Sequence, residues 1–269
     1  MPRYDLDSLE NRNPKLIDRL YRLIHKPLEK YFRSEVRGLE RIPPGAGIYV
    51  GNHSSGLITP DTFVFGAAVY RHHGVDGMPY GMAHEVYLKL PIFHELLVPV
   101  GAVRASPEIA SRIFARGNKI LVYPGGDLDN MRPYRDRNRI VFGERQGYIR
   151  LALRECVPII PVVSAGAHET FMVLGDLKWL TKALRLDRLL RLKVFPVTLS
   201  IPWGLTFGVI PFYFPYPSRI LMEILDPIDF ERNGPAAAED EIYVSECAER
   251  VESVMQQALS RLARERKGG

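Results

Sequence analysis

His53 and Asp61 bracket a short segment rich in Gly, Ser and Pro: Gly51-Asn52-His53-Ser54-Ser55-Gly56-Leu57-Ile58-Thr59-Pro60-Asp61. A neutral imidazole takes a proton from a hydroxyl or thiol. A carboxylate beside it fixes the tautomer and stabilises the imidazolium that forms. The segment thus offers a general base with an orienting acid and no evident nucleophile of its own. That combination suits transfer of a group to a hydroxyl that a substrate brings. A serine hydrolase would want a Gly-x-Ser-x-Gly elbow, and the chain has none; Ser54, although next to His53, lacks that setting.

Spacing limits how the pair can meet. On one regular helix, residues eight apart would be about 12 Å apart along the axis. Gly56 and Pro60 argue against a single helix. Thr59 reads as an N-cap, Pro60 as the first helical residue and Asp61 as a first-turn acid. His53 then lies on the loop after the apolar strand Gly47-Ile48-Tyr49-Val50-Gly51, with Asp61 folded back from the next helix. Taken alone, the two residues also fit a plainer reading, in which Asp61 complements the helix dipole and His53 is a turn residue.

Further blocks follow in order: Gly101-Ala102-Val103-Arg104, Tyr123-Pro124-Gly125-Gly126-Asp127, and Val157-Pro158-Ile159-Ile160-Pro161-Val162. In this order and at these separations the chain resembles the glycerolipid acyltransferase superfamily, which includes the lysophosphatidic acid acyltransferases and the diacylglycerol acyltransferase type 2 group. The resemblance runs from about Val36 to about Ile228. It implies an acyl-CoA or acyl carrier protein donor as co-substrate, a lipid acceptor, and neither cofactor nor metal. Two departures bear on the acceptor. Seven residues separate His53 from Asp61 where four are usual, and Pro-Gly-Gly replaces the commoner Phe-Pro-Glu-Gly-Thr-Arg. The Pro-Gly-Gly run looks more like the diacylglycerol acyltransferase type 2 group and its bacterial relatives, so lysophospholipid, mono- or diacylglycerol and alcohol acceptors all stay open.

The resemblance places Arg104, Tyr123, Pro124, Gly125 and Gly126 at substrate. Backbone amides near Gly125 and Gly126 could donate to a tetrahedral oxyanion, because glycine lets the backbone approach closely; the plainer reading is a tight turn. Arg104 could hold a phosphate or simply form a surface ion pair. Arg132, Arg135, Arg137 and Arg139 could bind phosphates or form a solvated loop. His168 and Glu169 follow a strand end near the last block and are candidates to line the site. His72, His73, His84 and His94 read as structural.

Composition agrees. The 269 residues are 46% hydrophobic and 25% charged, ordinary for a globular protein that can bury a sizeable core. The net charge of +5 rests mainly on arginine, 27 against nine lysines. A basic balance favours anionic partners; no nucleic-acid-binding signature is present, and the cations are interleaved with apolar residues. Two such stretches, 14–25 and 177–192, read as amphipathic helices able to lie on an anionic membrane surface or to pack on the core with a solvated basic face. From Val194 to Ser218 there is no charge, but five prolines exclude a regular spanning helix. This stretch reads as buried strand and loop or as a shallow membrane-inserted segment around Trp203, Phe207, Phe212, Tyr213 and Phe214. The polar start predicts no signal peptide, and Cys156 and Cys247 suggest no disulfide framework. Together these place the protein on the cytoplasmic face of a membrane, peripheral or monotopic.

These features predict an α/β fold: a mixed, largely parallel central sheet flanked by helices, with an N-terminal amphipathic helix and a long C-terminal helix. Strands are expected at 47–51, 97–103, 119–123, 158–164, 207–213 and 219–225. Helices are expected from Ser106 to Gly117, Phe142 to Cys156, and Ala238 to Arg266. The chain divides into a helical segment at 1–35, an acyltransferase domain at 36–232 and a C-terminal helix at 233–269. Sites in such sheets collect at loops after the strands, where His53, Arg104 and Gly125-Gly126 all fall. The rival functions are an acyl-CoA thioesterase, with water as acceptor, and a non-catalytic lipid or acyl-CoA binding protein that would need neither His53 nor Asp61.

Overall fold

The computed structural model describes residues 4–175, 196–208, 210 and 212–268. Its main sheet has seven strands: β1 (Glu35–Arg37), β2 (Gly47–Gly51), β3 (Tyr80–Ala83), β4 (Ala102–Arg104), β5 (Lys119–Val122), β6 (Ile159–Ala165) and β10 (Leu221–Ile224). Their order is β1-β10-β6-β2-β5-β3-β4, and all pair in parallel except β10 with β6. The fold is the mixed, mostly parallel α/β sheet that the alternation of apolar runs and helices predicts.

Both faces of the sheet are covered, so its central strands need not alternate apolar with polar residues. Every residue of β2 and β6 is buried. Successive side chains still point to opposite faces. Ile48 and Val50 join one core with Ile109, Ile149, Leu153 and Val251. These come from α5 (Pro107–Ala115), α7 (Gly147–Glu155) and α9 (Glu241–Gly268). Tyr49 joins the opposite core with Ile17, Tyr21, Phe32 and Phe65, from α1 (Pro14–Phe32) and α2 (Pro60–His73). The stretch at 14–25 therefore puts its main apolar stripe into the core, while Leu16 and Leu23 stay exposed. The stretch at 177–192 lies outside the described residues.

Several expected boundaries shift for local reasons. Residues 97–103 do not form one strand. The short α3 (Glu85–Leu88) and α4 (Pro91–Leu97) lead into a single turn at Val98–Val100, and β4 begins only at Ala102; Pro99 brings no N–H to a ladder. The helix expected from Phe142 starts at Gly147. The last helix is two: α8 (Pro235–Glu239) and α9, broken at Asp240, whose carboxylate accepts from the Tyr243 amide at 3.1 Å. Of the strand expected at 207–213, Phe207 alone among the described residues is in a strand, as the last residue of β9 (Gly204–Phe207). That strand completes an antiparallel sheet with β8 (Val197–Ser200) and β7 (Met172–Gly175).

Register sets where chemistry can gather. Val50 pairs with Val122 and Gly51 with Val162, so the parallel strands β2 and β5 end nearly level and β6 runs three residues further at the same end of the sheet. The His53 loop, the turn at Tyr123–Gly126 and the segment at Ala167–Thr170 therefore leave the sheet at one edge.

Candidate active site

The loop after β2 is held from both sides. Asn52 exchanges two hydrogen bonds with the Ser164 backbone, at 2.9 and 2.8 Å. Gly51 is glycine because the Tyr123 ring lies against it; a Cβ there would sit 2.6 Å from a ring carbon. That ring packs on the His53 imidazole with centroids 4.5 Å apart, and the Tyr123 hydroxyl hydrogen-bonds Thr62 Oγ1 at 2.8 Å.

Asp61 does fold back from the first turn of α2, fully buried. It accepts from the Ser54 amide at 3.0 Å and from the Thr62 amide at 3.0 Å. Its carboxylate thus grips the main chain beside His53 and does not bond the ring. His53 Nδ1 is buried without a hydrogen-bond partner. Thr59 occupies the cap position of α2, but its side chain makes no capping bond.

A second buried carboxylate enters from the Pro-Gly-Gly turn. Gly126 has φ +47° and donates its amide to the Tyr123 carbonyl at 3.1 Å, so one of the two candidate oxyanion donors closes the turn. At Gly125 a Cβ would lie 2.3 Å from Asp129 Cβ. Asp129 belongs to the short helix α6 (Gly126–Asn130) and is fully buried. One of its oxygens accepts the His53 amide, and it pairs with Arg132, itself buried. The Asn130 carbonyl accepts from Ser55 Oγ at 3.2 Å and from the Gly56 amide at 3.4 Å. His168 is buried and donates Nε2–H to the Arg132 carbonyl at 2.9 Å. Its Nδ1, together with Ser54 Oγ, Asn130 Oδ1, Arg132 Nε and His53 Nδ1, is buried and unpaired. Native interiors leave few such atoms, and five around one loop mark it as a place kept for more than packing.

Burial dominates the electrostatics. It pushes His53 down to about 4, reinforced by the positive charge of Arg132, so the imidazole is neutral at pH 7. His168 falls to about 3 for the same two reasons. Asp61 rises to about 6, the loss of water outweighing its bonds from Ser54 and Thr62. Burial brings Arg132 down to about 10, and burial and the Asp61 charge lift the Tyr123 hydroxyl well above its usual range. Perturbed groups packed together in this way are a recurrent sign of a functional site.

The sequence profile of the Acyltransferase family matches residues 33–165, which contain the whole His53–Asp129 arrangement. An uncharacterized protein of Mycobacterium tuberculosis is 30% identical over 251 residues, 93% of this chain and 66% of its own length. A mouse protein named DGAT1/2-independent enzyme synthesizing storage lipids is 30% identical over 154 residues, 56% of this chain and 45% of its own length. The crystal structure of the 1-acyl-sn-glycerophosphate acyltransferase PlsC from Thermotoga maritima superposes with a TM-score of 0.52, covering 91% of this chain and 81% of PlsC at 18% identity; that match concerns the fold. The chain belongs to the glycerolipid acyltransferase superfamily. It spans about two thirds of the length of its mycobacterial relatives.

The remaining sequence candidates separate. Arg104 ends the edge strand β4, three strands from β2 or about 14 Å at the usual strand spacing. Both arms of its guanidinium bond Asp7, at 2.8 and 2.7 Å. Glu169 is taken up by arginines: it bonds both arms of Arg266 on α9, at 3.0 and 2.9 Å, and Arg137 at 3.1 Å. The arginine run splits as well: Arg132 is buried in the site, Arg137 serves Glu169, and Arg135 and Arg139 are exposed beside Asp136. Asp129, Asn130 and Ser55 escaped sequence reasoning, because an acid three residues past a glycine turn reads as a helix-start charge until its burial is seen. Among the described residues, no cluster of three or more His, Cys, Asp or Glu could hold a metal ion.

Proposed function

We propose that this acyltransferase moves a fatty acyl group from an acyl thioester, acyl-CoA in the first instance, to a hydroxyl of a glycerolipid or related lipid acceptor. The observation that carries the reading is a neutral, half-buried His53 whose loop is clamped at two successive amides by buried carboxylates. His53 takes the acceptor's proton as the hydroxyl oxygen attacks the thioester carbonyl, forming the new C–O bond. The tetrahedral oxyanion then collapses, the C–S bond breaks, and the imidazolium returns its proton to the departing thiolate. Asp61 favours the imidazolium through its negative charge. The Gly125 amide is the free donor of the Pro-Gly-Gly turn for the oxyanion. Use of Arg104 for a donor phosphate would require displacing Asp7.

The test is release of free thiol from palmitoyl-CoA by the purified chain, with lysophosphatidate, lysophospholipids, monoacylglycerol, diacylglycerol or a long-chain alcohol present. Acceptor-stimulated release with the matching acylated product is expected. Release that ignores every acceptor would instead make the protein a thioesterase, and binding without release would make it a binding protein.

The same reading places the protein on a lipid surface, peripherally and on the cytoplasmic face. Trp203, Phe207 and Phe214 are 57%, 63% and 68% exposed, and large exposed apolar patches mark interaction surfaces. Beside them the Tyr31 hydroxyl donates to the Pro215 carbonyl at 2.7 Å, which joins the patch to the end of α1 with its exposed Lys26 and Lys30. Among the described residues no helix is long and apolar enough to cross a membrane. Replacing Trp203, Phe207 and Phe214 together by Ser is expected to lower sedimentation with anionic vesicles at least tenfold, while turnover of a short, water-soluble thioester is kept. Undiminished sedimentation would remove this patch from the membrane contact.

A further inference from the structure

We propose that Asp129 is a positioning residue that holds the His53 loop in its working geometry, and that the Pro-Gly-Gly turn is built to let it in. The inference rests on His53 as the base. Three observations carry it. Asp129 is fully buried, and one of its oxygens is committed to the backbone amide of His53, a bond that no water competes for. Its neighbour Asn130 holds the far end of the same loop at Ser55 and Gly56, so two consecutive residues of α6 pin both ends of the four-residue turn 53–56. And Gly125 admits no side chain, because Asp129 Cβ and the Val141 carbonyl oxygen would each lie 2.3 Å from its Cβ. The glycine block thus places a carboxylate against the His53 main chain. Arg132 neutralises that carboxylate, and its own carbonyl fixes His168. Displacing a reacting group by about 1 Å can cost about 100-fold in rate, which sets the scale of the effect.

The first readout needs no variant and no turnover. In the wild-type chain the His53 amide should exchange with deuterium at least about 1000-fold more slowly than an unprotected amide. Exchange at the unprotected rate overturns the proposal. Two double variants, each lacking the buried Asp129–Arg132 charge pair and leaving no lone charge from it, then separate positioning from bulk stability. Asp129→Asn with Arg132→Gln keeps an oxygen for the His53 amide; Asp129→Leu with Arg132→Met removes it. Both should melt near the wild-type temperature. The apolar pair should expose the His53 amide to fast exchange and lower kcat about 100-fold with KM within about threefold. The polar pair should keep the amide protected and turn over at least tenfold faster than the apolar pair. Equal protection in the two pairs, or equal kcat, would show Asp129 to be structural only. If the wild type transfers no acyl group to any acceptor, the acyltransferase reading of the site fails, and amide exchange alone decides whether Asp129 positions His53.

Discussion

Replacing His53 by Ala is expected to lower acyl transfer at least about 1000-fold while the melting temperature stays within about 3 °C of wild type. A positioned general base contributes about 10² to 10⁴ in rate. His168, which reaches the site through the Arg132 carbonyl, offers no second base there, because it is buried with its Nε2–H committed to that bond. Stability should change little because two terms oppose each other. The variant loses the packing of His53 on Tyr123, worth about 0.5–1.5 kcal/mol for an aromatic pair. It also removes a buried, unpaired Nδ1, whose lack of a partner costs about 1–3 kcal/mol. At this chain length 1 kcal/mol moves the melting point by about 2–4 °C. Steady-state kinetics beside a thermal melt checks both halves. Turnover near the wild-type rate would dismiss His53 as the base, and a large drop in melting temperature would make the loss of activity uninformative.

The sheet was legible because burial leaves a plain mark on sequence. Gly47–Gly51 and Ile159–Ala165 are unbroken runs suited to strands covered on both faces, and both form as strands. Boundaries failed where a single residue outweighed the pattern: Pro99 and Gly101 cut an apolar run that otherwise reads as one strand, and Asp240 breaks the last helix by capping its second part. The site was half legible. His53, Asp61, Tyr123 and the two glycines could be named because their types and order carry chemistry. What could not be read was which atoms meet. Asp61 reaches the Ser54 amide and Asp129 the His53 amide, and nothing in the spacing distinguishes Asp129 from Asp127, which is exposed and paired with Arg145. Glu169 looked like a lining residue for the same reason; only the return of α9 brings Arg266 to it.

Replacing Asp61 by Asn is expected to lower kcat about 1000-fold and, at pH 7, to make the protein more stable. The rate falls because the variant removes the charge that favours the imidazolium, and because its single amide oxygen can serve only one of the Ser54 and Thr62 amides that the carboxylate holds together. The stability gain follows from the sign of the pKa shift. Burial raises Asp61 from 3.8 to about 6, so at neutral pH the folded state holds an ionised carboxylate that is better solvated in the unfolded chain. A shift of about two units corresponds to about 3 kcal/mol. Asn avoids that penalty but gives up one charge-assisted bond, leaving a net gain of about 1–2 kcal/mol, or about 2–8 °C in melting temperature. The penalty on wild type is fully present above pH 6 and relaxes as pH falls through 6 toward 3.8, where Asp61 is protonated in both states. The two proteins should therefore converge in stability near pH 4. Activity moves the other way: wild-type kcat/KM should decline below about pH 6 as Asp61 takes up its proton. The residual activity of the Asn variant should hold until His53 protonates near 4. An Asn variant that turns over like wild type would show that the charge of Asp61 has no part in the reaction. One that is both inactive and less stable at pH 7 would mean that its carboxylate is there for the fold, whereas a gain in stability accompanied by a loss of rate is what a buried charge kept for chemistry produces.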